Sequence, residues 1–114
     1  MTNLPKETIT TVFNLQRRLL QLINKATAVG FIILEQYGET EASIIALDQL
    51  QNVRERATSY YIHFYRLLLQ IAESQPVATS ATLNLLAQLI QETQAIADAG
   101  EATVQEAKRD FDIP

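Results

Sequence analysis

Apolar and small residues recur along this chain at alternating steps of three and four. The first run is Val12, Leu15, Leu19, Leu22, Ala26, Val29 and Ile33. The second is Leu50, Val53, Ala57, Tyr60, Phe64, Leu67 and Ile71. The third is Leu83, Leu86, Ile90, Thr93, Ala97, Gly100, Val104, Ala107 and Phe111. That spacing follows one side of an α-helix and does not suit a strand, whose side chains alternate with period two. Three such stripes joined by short polar links imply an all-α fold with coiled-coil-like seams.

The punctuation between the stripes places the helices at residues 6–36, 40–74 and 81–110. Pro5 suits a first turn, where its missing N–H would be unpaired anyway. Gly38 supplies a stop after the first stripe, and Ser74-Gln75-Pro76 ends the second. Ser80 is the expected N-cap of the third helix. The third stripe keeps its phase across Gly100, which favours one unbroken helix over a short fourth one from about Glu101. Second rows widen the arcs: Ile9, Phe13, Leu20, Ile23 and Leu34 in the first helix, and Leu85, Leu89 and Ile96 in the third. Short links make neighbouring helices antiparallel, and each helix is about 45–50 Å long at 1.5 Å per residue. Residues 1–114 are therefore read as one domain, an up-down-up rod.

Composition narrows the chemistry. With 114 residues, 47% of them hydrophobic, the chain can bury a core, and three glycines and three prolines leave long elements uninterrupted. It has no cysteine and one histidine, which argues against thiolate and multi-histidine metal sites. No Glu-x-x-His pair or glycine-rich phosphate loop is present, so no metal or cofactor is expected. A net charge of −4 makes nucleic acid an unexpected partner. The start Met1-Thr2-Asn3-Leu4-Pro5 does not read as a secretory leader, and no apolar run approaches the roughly 20 residues of a membrane span. A cytoplasmic protein without membrane contact is expected.

Some apolar side chains fall outside the stripes. Ile32 interrupts the polar side made by Glu7, Asn14, Gln21 and Lys25. Ile44, Ile62 and Leu69 fall among Asp48, Gln51, Glu55 and Glu73, with Tyr65 beside them. A turn at Gly38 brings Ile32 level with Ile44. Aromatics are enriched in interface cores, and a rod has much surface for little core. Ile32, Ile44, Ile62, Tyr65 and Leu69 are thus the expected self-association residues of a homodimer. The function class this favours is a non-catalytic scaffold or adaptor that also binds another protein.

A second class rests on Arg56 and His63, an arginine and a histidine separated by six residues. The pattern is similar to the arginine–histidine signature of the small helical HEPN ribonucleases. That resemblance implies activation of a ribose 2′-hydroxyl and stabilisation of the phosphate by the pair. It covers eight residues, and Ala57 stands where the family has a polar residue. Seven residues along one helix is a rise of about 10 Å. Otherwise Arg56 is expected to pair with Asp98 and Arg54 with Glu101, since a turn near Val77 sets them level.

Overall fold

In the computed structural model, which describes residues 4–114, helix α1 spans Lys6–Tyr37, α2 Glu41–Glu73 and α3 Ser80–Asp110. No strand occurs among the described residues. Met1 to Asn3, which bear on the reading of the leader, lie outside them. The helices run up, down and up, each packs on both others, and the bundle measures 57 × 19 × 17 Å.

The ends follow from local hydrogen bonding. Gly38 takes a positive φ of 63° and its N–H donates to the carbonyl of Leu34, 3.0 Å away. Two residues later Thr40 and Ser43 form a reciprocal cap at the start of α2. The Ser43 N–H donates to Thr40 Oγ1, and the Thr40 N–H donates to Ser43 Oγ. Ser43 is buried, and its hydroxyl also donates to the Gly38 carbonyl at 2.7 Å. The N-cap of α3 is Thr79, not the expected Ser80. Thr79 has extended backbone, and its hydroxyl accepts from the Thr82 N–H at 3.1 Å. Lys108 and Arg109 occupy the last turn of α3, where its dipole favours positive charge.

The first stripe is buried along its whole length, from Val12 to Ile33. In α2, Phe64 and Ile71 are buried, but Tyr60 and Leu67 are only half-buried, and Ser43 and Ala46 extend the seam toward the turn. In α3 the buried line is Thr82, Leu86, Leu89, Thr93, Ala97, Gly100, Val104 and Ala107. Leu83 and Ile90, expected at its centre, lie beside it. Two successive steps of four, Leu89 to Thr93 to Ala97, make a stutter that turns the first half of α3 relative to the second. Thr93 is tolerated inside because its hydroxyl donates to the Leu89 carbonyl at 2.7 Å.

Helix α3 is continuous through Gly100, which is buried. A Cβ there would lie 2.7 Å from Leu22 Cδ2 and 3.2 Å from Val53 Cγ1. Glycine is needed for close approach and not for backbone freedom. The chain end turns back after Asp110. The Ile113 N–H donates to the Lys108 carbonyl, and Tyr37 reaches the Phe111 carbonyl through its hydroxyl at 2.7 Å. The Tyr37 and Phe111 rings meet edge to face at 5.1 Å, tying the ends of α1 and α3.

Two substitutions test this packing. Gly100→Ala gains about 1 kcal/mol of helix propensity but overpacks a site whose neighbour Leu22 is itself buried, a cost of about 1–3 kcal/mol. A lower melting temperature is expected, and a higher one would show that Leu22 has another place to go. Phe64→Ala should cost about 3–5 kcal/mol and Leu67→Ala less. Equal losses in urea unfolding would contradict the difference in their burial.

Candidate functional site

Polar chemistry gathers at two places. At the first, Arg18 of α1 reaches α3. Its Nε and Nη2 donate to the two carboxylate oxygens of Glu101 at 2.8 and 2.7 Å, and Nη2 also donates to Asp98. The fork holds Glu101 below the usual carboxylate range and Arg18 above its ordinary value, in each case mainly through these hydrogen bonds. The expected pairs Arg56–Asp98 and Arg54–Glu101 do not form. The levels along the rod were right, but both carboxylates turn to α1, which lies beside α3 and parallel to it.

The second place is an open cleft of about 350 Å³ between α2 and α3. His63, Arg66 and Gln70 border it from α2 at steps of three and four, and Gln88 and Glu92 from α3. Leu67, Leu85 and Leu89 form its apolar walls. Glu92 is already engaged, accepting from Gln88 Nε2 at 3.1 Å and from the Tyr60 hydroxyl at 3.5 Å. Tyr60 also meets His63 edge to face at 6.1 Å. His63 and Arg66 remain exposed, both able to donate to an acceptor entering the cleft. Arg56 is exposed but does not border it; the arginine that shares the cleft with His63 is Arg66. Among the described residues no cluster of acidic or histidine side chains could hold a metal ion, and no helix is long and apolar enough to cross a membrane.

The apolar surplus is the larger feature. Twelve large apolar side chains are exposed among the described residues, and eight of them share the outer side of α1 and α2, away from α3. Orientation comes from contacts on either flank of α1. A Cβ at Gly30 would lie 3.4 Å from Leu47, so that flank faces α2. Arg18 marks the other flank, facing α3. Phe13, Leu20 and Leu34 each follow a buried residue of α1 on the α2 flank, with Phe31 beside them. On α2, Ile44 and Tyr65 follow buried residues in the same way, and Ile62 and Leu69 form the adjoining crest.

Sequence reasoning had found Ile44, Ile62, Tyr65 and Leu69 of this set. It assigned Phe13, Leu20 and Leu34 to the core, as it did Leu85, and all four are about half exposed. Ile32 lies elsewhere. It is half-buried on the α3 flank of α1, in a hollow shared with Val104, Lys108, Ile113 and Pro114, so it forms no patch with Ile44. Comparison with protein-family models, with curated proteins and with solved structures finds no match to this chain.

The Arg18 fork gives a pH-dependent prediction. Glu101 has a lower pKa folded than unfolded, so its contribution is complete above the carboxylate range and is lost as pH falls through it. Because the fork is partly exposed, Glu101→Gln should cost no more than about 1 kcal/mol at neutral pH. Thermal melts of the two proteins should converge once pH falls below the lowered folded pKa of Glu101, where the wild-type carboxyl is protonated. A gap that persists there would assign the loss to packing.

Proposed function

We propose that this protein is a non-catalytic helical scaffold that self-associates through the outer side of α1 and α2 and offers its remaining surface to another protein. The observation that carries this reading is the concentration of eight exposed large apolar side chains on that one side. Scattered apolar residues are ordinary on a monomer; eight on one side are not, even with Thr27, Gln51 and Thr58 standing between the two ends of the row.

Surface area supports it. A compact monomer of 12.8 kDa exposes about 6300 Å². This rod exposes 7330 Å². The excess is about 1000 Å², comparable to the roughly 800 Å² that each partner buries in a standard interface. Pairing along the strip would therefore bring exposure per protomer near that of a globular protein. The α2/α3 cleft lies on a different side of the rod and would stay open after such pairing. His63, Arg66 and the leucine walls then serve as the second protein's contact.

Light scattering after size exclusion tests the reading. The wild type should elute as a dimer, and Ile62→Glu combined with Leu69→Glu should give soluble, helical monomer, since apolar burial is lost and carboxylates would have to be desolvated in the contact. A wild type already monomeric at high micromolar concentration would overturn it.

A further inference from the structure

We infer that the occupant of the α1/α2 side is a second copy of this chain related by a two-fold axis parallel to the helices, so that α1 of each copy packs on α2 of the other. This rests on the self-association proposed above and adds the arrangement. The side is 57 Å long and 19 Å wide, about 1000 Å², which suffices for a stable dimer at roughly 800 Å² per partner.

A two-fold contact between two such hairpins has two simple solutions. An axis along the helices sets α1 against the partner's α2 at equal heights. An axis across them sets α1 on α1 and α2 on α2, with heights inverted. The charges along the strip are sorted by helix. On α1 the strip and its rim carry Lys6 and Arg17 and no acid; on α2 the rim carries Glu41, Asp48 and Glu55. Arg54, half-buried, sits in the seam between the two helices.

Height decides between the axes. Gly30 packs on Leu47, so α1 and α2 residues whose numbers add to about 77 are level. A crossing axis level with Glu55, two residues from the midpoint of α2, would set Glu55 against its own mate. It also lays Asp48 and Glu41 on the partner's Ile62 and Leu69. The first is unfavourable by like-charge repulsion; the second desolvates carboxylates against apolar surface, a cost the parallel axis shares where Asp48 comes nearly level with the partner's Phe31. The parallel axis places Arg17 between the partner's Ile62 and Glu55, about 8 Å along the rod from the latter, within reach of two long side chains. It also sets Phe13 level with the partner's Tyr65, apolar on apolar. The two α2/α3 clefts then lie at the same end of the assembly, on opposite flanks.

The chain has no cysteine, so single cysteines report the axis cleanly. Phe13 and Tyr65 lie level, and a parallel axis sets each against the other on facing helices of the two copies. Mixed under mild oxidation, the Phe13→Cys and Tyr65→Cys proteins should form a disulfide-linked heterodimer, read on a non-reducing gel, while neither links with itself, because the two α2 helices stand diagonally apart. With the crossing axis Phe13 faces α1 of the partner, the mixture stays unlinked, and a mid-rod variant such as Leu20→Cys links with itself. A dimer by light scattering in which the Phe13→Cys and Tyr65→Cys mixture stays unlinked overturns the parallel axis and leaves self-association standing. A monomeric wild type overturns the self-association beneath it.

Discussion

Leu22, Val53 and Gly100, one from each helix, meet at a single level of the bundle. The missing side chain of Gly100 lets α3 come close enough for α1 and α2 to touch it together, and the seams above and below are held at that spacing. The glycine gives up about 1 kcal/mol of helix propensity. Its neighbours Ala97, Val104 and Ala107 keep the same seam narrow, and all are buried. The stutter at Thr93 lies two turns before this level. There α3 changes which side it presents, so that Leu85 and Leu89 border the cleft with α2.

A three-helix rod of this length buries one line of residues per helix and little more. The core is as wide as two adjacent rows, and the rod is 17–19 Å across. Any helix with a third apolar row must leave it outside. Helix α1 has such a row in Phe13, Leu20 and Leu34, and α2 has one in Ile44 and Tyr65 with Ile62 and Leu69 beside it. Helix α3 contributes Leu85 alone, which forms part of a cleft wall. The asymmetry is what the self-association proposed above rests on. The surplus sits where two helices lie side by side, and that is the geometry that two more helices can complete.

The seven buried residues of α1 coincide with the stripe read from spacing alone, and so does the unbroken course of α3. Spacing reports which side of a helix is apolar, and burial follows when a neighbour covers that side. It does not report how wide the neighbour is. Phe13, Leu20 and Leu34 were therefore placed in the core, and Ile32 was placed on a free surface although the folded-back chain end partly covers it. The same limit applies to charge. Levels along the rod follow from turn positions, but the choice of Arg18 over Arg54 and Arg56 depends on α1 and α3 being neighbours, which adjacency in sequence does not convey. The caps were half visible. Thr79 and Ser80 are both good N-caps, and the hydroxyl of Thr82 bonded to Thr79 settles the choice.

Arg17 and Arg18 show how such a fold separates cohesion from recognition. Adjacent residues on a helix point about 100° apart, so one arginine turns into the α1/α3 seam and the other toward the outer strip. Arg18 closes a fork on Glu101 and Asp98, which fixes how far α3 slides along α1. The apolar stripes resist a one-heptad shift only where their repeat is broken, at the Thr93 stutter and at the Gly100 contact, and the fork adds a polar register to these. In the arrangement inferred above, a heptad shift between copies is the ambiguity that Arg17 and Glu55 would resolve. One turn of α1 thus holds the register device of the protomer and, in the arrangement inferred above, that of the assembly. Exposed ion pairs contribute little to affinity, so these charges select among arrangements that the apolar strip stabilises almost equally.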